Sequence, residues 1–285
     1  MITKKIKNKL VLEPKKYEDS HLALVKNTIK KEVSILNIFQ PHSLAEQNTA
    51  ALMDRIDSKY LLPINFFIPL MKAISEDYSI LNSNNKRIFS YQTTYFDNQD
   101  RQFYLDHHNG KLNRYKVRFR RYVESNIGYM EIKFKNNQKR TIKQRIPMDC
   151  IVPDQAGVND FVEKTLGYTT KLETVLFVNY QRITLLNKRN LERVTIDLNL
   201  SFRNANSVKQ SIQDKTFIVE IKQERKPIQS TCRDFIKTNG YKEMDFSKYC
   251  IGSVLTENKE IYGNRLKTNR FKESLRNLER LNTYH

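Results

Sequence analysis

Arg114-Tyr115-Lys116-Val117-Arg118-Phe119-Arg120 alternates basic residues with aromatic and aliphatic ones at a period of two. Residues i and i+2 of a β-strand share a face. The segment therefore sets Arg114, Lys116, Arg118 and Arg120 on one side of a strand and Tyr115, Val117 and Phe119 on the other. The pattern recurs downstream in Glu131-Ile132-Lys133-Phe134-Lys135, Lys143-Gln144-Arg145, Arg193-Val194-Thr195-Ile196-Asp197 and Glu220-Ile221-Lys222. It also appears upstream in Arg55-Ile56-Asp57-Ser58-Lys59. One such strand is an ordinary solvated face. Several of them set side by side would repel across the ladder unless an anion or interleaved carboxylates lay between them. A sheet curled around such a face is a cationic channel, and a cationic channel implies a polyanionic ligand.

Composition agrees with that reading. The 285 residues hold 50 Lys plus Arg against 31 Asp plus Glu, a formal net charge of +19. A solvated surface needs no such excess; it points to phosphate-rich partners. Hydrophobic residues make up 39% of the chain, enough for a packed core. Cys150, Cys232 and Cys250 form no C-x-x-C pair and are odd in number, as expected of a reduced, cytoplasmic protein. MITKKIKNKL has no apolar core of a secretory signal, and no apolar run approaches the roughly 20 residues of a membrane span. No RNA-recognition or helix-turn-helix signature accompanies the charge, so nucleic acid is not the expected partner.

Along the chain, residues 1–16 form a basic arm, and apolar spacing predicts a helix from 19 or 20 to about 39. Ser43-Leu44-Ala45-Glu46 is a capping box opening a short helix. Pro63 suits the first position of a helix carrying Phe66, Phe67, Leu70, Met71 and Ile74. Strands are predicted near 54–61, 87–97, 114–123, 127–136, 139–147, 172–186, 191–203 and 215–223. Their close spacing around 114–147 makes antiparallel hairpins. Helices are predicted at about 98–108, 157–166 and 229–238, and a basic amphipathic stretch at 257–285. This order is mostly antiparallel β with peripheral helices, which favours a barrel or strongly curved sheet.

Arg118 and Arg120 carry the strongest chemical signal, because a guanidinium matches phosphate oxygens in a bidentate fork and stays charged. Lys133 with Lys135, and Lys143 with Arg145, extend the cationic face. Carboxylates are fewer. Glu220 is the best single ligand for a hard divalent cation, which typically takes one or two carboxylates plus substrate phosphates. A salt bridge is the expected role of Asp57 and Asp197. His107 and His108 fall at a helix end, where a structural role outweighs phosphate binding. There is no Ser–His–Asp or Cys–His arrangement and no phosphate-binding glycine loop, so phosphate recognition falls to side chains.

RIDSKY (55–60), YQTTYFD (91–97), HHNGKLNRYKVRFRRY (107–122), EIKFK (131–135), TIKQR (141–145), YQRITL (180–185), RVTID (193–197), VEIK (219–222) and FSKYCIG (246–252) together resemble the VTC domain, the polyphosphate polymerase domain. The resemblance spans about 43–255 and looks like the stand-alone bacterial type. It implies the fold of the triphosphate tunnel metalloenzymes: α+β, with a closed antiparallel eight-stranded tunnel and peripheral helices. The implied domains are an arm and helix at 1–42, a tunnel at 43–256 and a basic tail at 257–285. The resemblance further implies that Lys59, Arg118, Arg120, Lys133, Lys143, Arg182, Arg193 and Lys248 line the tunnel and hold phosphates. Lys222 joins Arg118, Arg120 and Lys133 on the nucleotide phosphates, and Glu220 binds Mn or Mg. ATP and inorganic polyphosphate are the implied partners. Arg55 stands where the superfamily's E-x-E-x-K signature has its first glutamate, which shifts the site from metal toward phosphate binding. Asp245 replaces a lysine that eukaryotic members carry three residues before Lys248. For the basic ends two readings stand: a solvated or loosely packed helix, or peripheral docking to an anionic face of the membrane, such as the inner face, or to a membrane protein. The oligomeric state is left open.

Overall fold

The computed structural model describes residues 34–49, 55–138, 140–148, 155–205, 210–224, 229–257 and 266–283. The chain divides into two units, Met1–Ile38 and Phe39–His285. Of the first, only a 3-10 turn at Ser34–Ile38 is described. The basic arm and most of the helix expected before residue 39 lie outside the described residues.

The second unit is built on one antiparallel path of eight strands. In chain order these are β2 (Arg55–Pro63), β4 (Phe89–Asp97), β5 (Arg114–Tyr122), β6 (Ile127–Lys135), β7 (Thr141–Met148), β8 (Glu173–Asn187), β9 (Arg193–Asn204) and β11 (Thr216–Glu224). Each was expected within about two residues of its observed ends. Three short strands lacked the period-two signal: β1 (Gln40–His42), β3 (Tyr78–Leu81) and β10 (Gln210–Gln213). β1 lies parallel to β3, β3 extends β8, and β10 pairs with β9. The helices are α1 (Leu44–Thr49), α2 (Phe67–Ile74), α3 (Gln102–His108), α4 (Gln155–Leu166), α5 (Thr231–Thr238), α6 (Lys248–Leu255) and α7 (Lys272–Thr283).

The spatial order is β2-β11-β9-β8-β4-β5-β6-β7. No ladder joins β2 to β7 among the described residues, yet the sheet curls into a tunnel. Lys59 on β2 and Lys116 on β5 are five ladders apart, about 24 Å in a flat sheet. Their Nζ atoms nevertheless reach consecutive residues: Lys59 Nζ donates to Phe246 O at 3.1 Å, and Lys116 Nζ lies 3.2 Å from Ser247 Oγ. Only a strongly coiled sheet brings the two together.

The apolar faces of the central strands pack against helices. Val117, Phe119, Met130 and Ile132 pack with Val158, Val162 and Leu166 of α4. Leu176, Val178, Leu200 and Phe202 pack with Tyr249, Cys250 and Ile251 of α6 and with Phe271 and Leu278. Each such side chain contributes about 1.5–3 kcal/mol on burial. Gly252 permits the close approach of α6, since a Cβ there would lie 2.3 Å from the Phe202 ring.

Local chemistry fixes the helix ends. Ser43 and Glu46 form the expected capping box, with Ser43 N–H donating to Glu46 Oε2 at 2.7 Å. Pro63 ends β2 and caps a 3-10 turn (Ile64–Phe66) that runs into α2, so it stands one position before the first helical residue instead of on it. β2 is an edge strand, so the missing N–H of its last residue costs little. Asp97 at the end of β4 accepts the N–H groups of Phe103 and Tyr104, both at 2.9 Å, and anchors the start of α3. Gly110, at φ +69°, turns the chain from the end of α3 back into β5. The described part of the tail, residues 266–283, packs on the protein through its apolar side. Phe271 and Leu278 are buried in the core, with Leu266, Leu275 and Leu281 packed against it. Its apolar stripe is therefore committed to the protein, and not to a bilayer. No described helix is long and apolar enough to cross a membrane.

Candidate functional site

The tunnel lumen is organised around three carboxylates. Glu131 on β6 is fully buried. Arg118 Nε donates to its Oε2 at 2.7 Å and Arg118 Nη2 lies equally close. Arg120 Nη1 stands 3.8 Å away and Lys143 forms an ion pair from β7. Burial alone would raise the Glu131 pKa, but Arg118, Arg120 and Lys143 outweigh it and hold the carboxyl well below the usual range. The ladder explains the cluster, because Glu131 lies opposite Arg118 on one side and Arg145 on the other.

Asp197 on β9 is the second centre. Arg182 on β8 lies opposite it and grips it in a fork, at 2.6 and 2.8 Å. Lys248, at the start of α6, completes the ion pair. Ser247 caps that helix through its side chain, which accepts from Cys250 N–H, and so aims Lys248 inward. Burial raises the Asp197 pKa, but Arg182 and Lys248 overcome it and bring the carboxyl down to about 2. Glu220 on β11 is the third. It pairs with Lys222 on its own strand and lies 3.9 Å from Lys59, its ladder partner on β2. Burial opposes ionisation there too, and Lys222, Lys59 and Arg182 hold the pKa well below the carboxylate range.

The cations outnumber these carboxylates, and some are left without one. Lys133 makes no ion pair or hydrogen bond among the described residues. Arg118, followed by its own burial and Arg120, holds its pKa well down. Arg193 Nε is buried with no hydrogen-bond partner, as is Thr195 Oγ1 two residues along the same face. Tyrosines keep the guanidiniums in plane: Tyr91 stacks on Tyr180 at 5.1 Å, with Arg182 over both rings and Arg120 over Tyr91. Glu220 acts on Lys133 from five ladders away, so the two walls face each other across the lumen.

The structure brings Arg118, Arg120 and Lys143 together at Glu131, Arg182 and Lys248 at Asp197, and Lys59 and Lys222 at Glu220. Arg118, Lys143, Arg182, Lys222 and Lys248 are held by carboxylates, whereas Lys133 and Arg193 are not. Asp57 forms the expected pair with Arg55, at 3.1 Å. Beyond that set, Arg114, Lys116 and His107 come together at the end of α3: Arg114 Nε donates to His107 Nδ1 at 3.2 Å, and Lys116 Nζ lies 3.1 Å from Nε2. Sequence alone placed Lys116 on the basic face and His107 at a helix end, but not the two in contact. At one mouth, Asp57, Lys59, Glu243, Met244, Asp245 and Arg270 line a cavity of about 430 Å³. Asp245 pairs there with Arg270 at 2.6 Å.

Among the described residues, no group of three or more His, Cys, Asp or Glu side chains could hold a metal ion. Glu131 and Asp197 are enclosed by cations with almost no exposed surface, whereas the Glu220 side chain keeps 18% of its surface exposed. That donor set fits a hard cation that arrives with phosphate oxygens and takes one carboxylate from the protein.

The VTC domain family model matches residues 54–257. The chain belongs to the VTC domain family. A comparison with curated proteins finds no match. Among solved structures, the chain is similar to an adenylate cyclase candidate from Bacillus halodurans, at 11% identity and TM-score 0.43, over 68% of this chain and 94% of that one. It is also similar to an adenylyl cyclase candidate from Hippeastrum with a dominant triphosphatase activity, at 13% identity and TM-score 0.46, over 69% and 94%. A third, a protein from Pyrococcus horikoshii, shares 12% identity at TM-score 0.41, over 73% and 99%.

Proposed function

We propose that this VTC domain is a polyphosphate polymerase, transferring the terminal phosphate of ATP to a growing inorganic polyphosphate chain inside the tunnel. The observation that supports it best is the lumen itself: opposed walls of Lys and Arg, some of them, among the described residues, lacking a carboxylate. Phosphoryl transfer between phosphates needs in-line positioning and neutralisation of charge more than covalent catalysis. The attacking terminal phosphate already carries its negative charge.

In this reading Arg120, Lys133 and Arg193 bind phosphate oxygens directly. Arg118, Lys143, Arg182, Lys222 and Lys248, fixed by Glu131, Glu220 and Asp197, supply a preorganised field that need not reorient during the reaction. Lys59 holds the chain near the mouth lined by Asp245 and Arg270. A divalent cation, Mn or Mg, would be held by Glu220 and would act as a Lewis acid on the nucleotide phosphates. The experiment is direct: purified protein incubated with ATP and Mn should yield long phosphate chains on a gel. Release of inorganic phosphate with no chain growth would make it a hydrolase, and binding without turnover would make it a polyphosphate-binding module.

A further inference from the structure

The His107 corner carries a constraint on protonation that follows from hydrogen-bond chemistry. Arg114 has N–H donors and no acceptor, so its 3.2 Å bond requires a lone pair on His107 Nδ1. A neutral imidazole has one N–H, which must then sit on Nε2. That N–H faces Lys116 Nζ at 3.1 Å. An ammonium offers three donors and no lone pair, so the contact is a hydrogen bond only when Lys116 is a neutral amine. The opposite assignment needs an imidazole stripped of both protons, which neutral water does not allow.

The ring is placed by its neighbours. It lies nearly parallel to Phe271, 6.0 Å between centroids at 9°, and Arg270 Nη1 donates to the His107 carbonyl at 3.3 Å. Arg114 is fixed in turn by its bond to Lys111 O at 2.6 Å. A doubly protonated His107 would set an N–H against Arg114. Burial, with the Arg114 and Arg270 guanidiniums beside the ring, disfavours that form.

The cations that face Lys116 lower its pKa, and Cys250 acts the other way. Arg114 and Arg118 flank it on β5, Lys133 lies opposite on β6, and Lys59 approaches from β2. From α6 come Ser247 Oγ at 3.2 Å and Cys250, whose thiol is pushed up by burial to about 11 and stays neutral. The nearby carboxylates, Asp106 and Asp245, act on Arg114. Burial leads these effects and brings Lys116 down to about 7.

We propose that Lys116 is a proton-accepting ligand of the tunnel, standing as a neutral amine against His107 and taking up one proton when a phosphate oligoanion binds. The step balances simply: the amine lone pair takes a proton from solvent or from a terminal P–OH group and becomes an ammonium. The ammonium can no longer accept from Nε2–H, so Nζ leaves His107 and turns to a phosphate oxygen. The ligand class rests on the function proposed above; the neutral amine does not.

Nuclear magnetic resonance of the lysine side chains tests the amine, with the Lys116 signal identified by its loss in Lys116→Arg. In the free protein Lys116 should titrate near neutrality; titration in the ordinary range, about 10.4, overturns the proposal. Calorimetry of tripolyphosphate binding at pH about 8, in two buffers of different ionisation enthalpy, tests the uptake. The parent should take up about one proton more per anion than Lys116→Arg, which is charged throughout. Equal counts refute the uptake. Failure of tripolyphosphate to bind removes the uptake and the proposed function together. Absence of chain synthesis with the proton difference intact removes the polymerase reading alone.

Discussion

The β5–β6–β7 wall and the corner where α3 meets β5 present cations of the same strand in opposite ways. Arg118 faces Glu131, a carboxylate with no exposed surface, and is locked as a charge. Lys116, two residues earlier on the same face, meets a neutral imidazole and is denied its charge. A count of basic residues would treat the two alike. What separates them is the partner that the fold brings up: a ladder neighbour in one case, the end of a helix in the other. A permanent charge gives field without responding to the ligand, whereas a withheld one responds to it.

Breaking the locked side should have the largest effect. Glu131→Gln removes the shared counter-charge of Arg118, Arg120 and Lys143 and leaves them buried together. Removing one partner of a buried ion pair typically costs about 3–5 kcal/mol, so a large drop in melting temperature is expected. A loss under about 1 kcal/mol would mean that solvent already screens the wall. The pH dependence has a definite sign. Glu131 is held below its unfolded pKa, so the unfolded state binds more protons between the two values. The stabilisation is complete above about 4.5, is lost as pH falls toward the folded value, and should be missing from the acid limb of the Glu131→Gln stability curve.

The strands and the lumen residues were legible because period two is a local property: Arg118, Lys133, Arg182 and Glu220 each sit beside residues that fix their face. Their partners were not legible, since pairing depends on ladder register. Nothing near Arg182 in the chain says that Asp197 lies opposite it. The cap that Asp97 places on α3, which brings His107 over Lys116, is equally non-local. The tail shows a different limit. Leu266, Phe271, Leu275, Leu278 and Leu281 make an apolar stripe that serves a core or a bilayer equally well, and only the outer surface left by α6 and the sheet decides for the core.

Ligand binding sharpens the comparison next. An anion that binds only the folded state at a hundredfold excess over Kd stabilises it by about 2.7 kcal/mol. Tripolyphosphate should raise the melting temperature of the parent, while chloride at matched ionic strength should not. The shift should be larger still in Glu131→Gln, because the ligand replaces the missing counter-charge. Equal shifts from the two salts would reduce the effect to screening.

Arg118 and Arg120 divide the same question within one wall. Arg120 lies 3.8 Å from Glu131 and over Tyr91, whereas Arg118 holds Glu131 through two nitrogens. Arg120→Ala should lose a charge-assisted phosphate contact of about 1.5–3 kcal/mol, more than tenfold in turnover, with little change in melting temperature. Arg118→Ala should lose both activity and stability. If the two variants melt alike, the distinction between a held and an available guanidinium fails.

The smallest effect on stability should come from the carboxylate that keeps exposed surface. Glu220 pairs with Lys222 and Lys59, but its side chain keeps 18% exposure and water can replace part of what is lost. Glu220→Gln should therefore cost on the order of 1 kcal/mol, near the value of a partly exposed pair, well below the cost of Glu131→Gln. Its effect on turnover should be of another kind. A hard cation bound with the substrate phosphates takes one carboxylate from the protein, and an amide is a far weaker ligand for it. The variant should retain tripolyphosphate binding, measured without metal, and lose the acceleration that Mn or Mg gives the parent. A variant that responds to Mn or Mg as the parent does would leave Glu220 as the salt-bridge partner of Lys222 and nothing more. The lumen would then hold three carboxylates of one kind, each serving to fix cations.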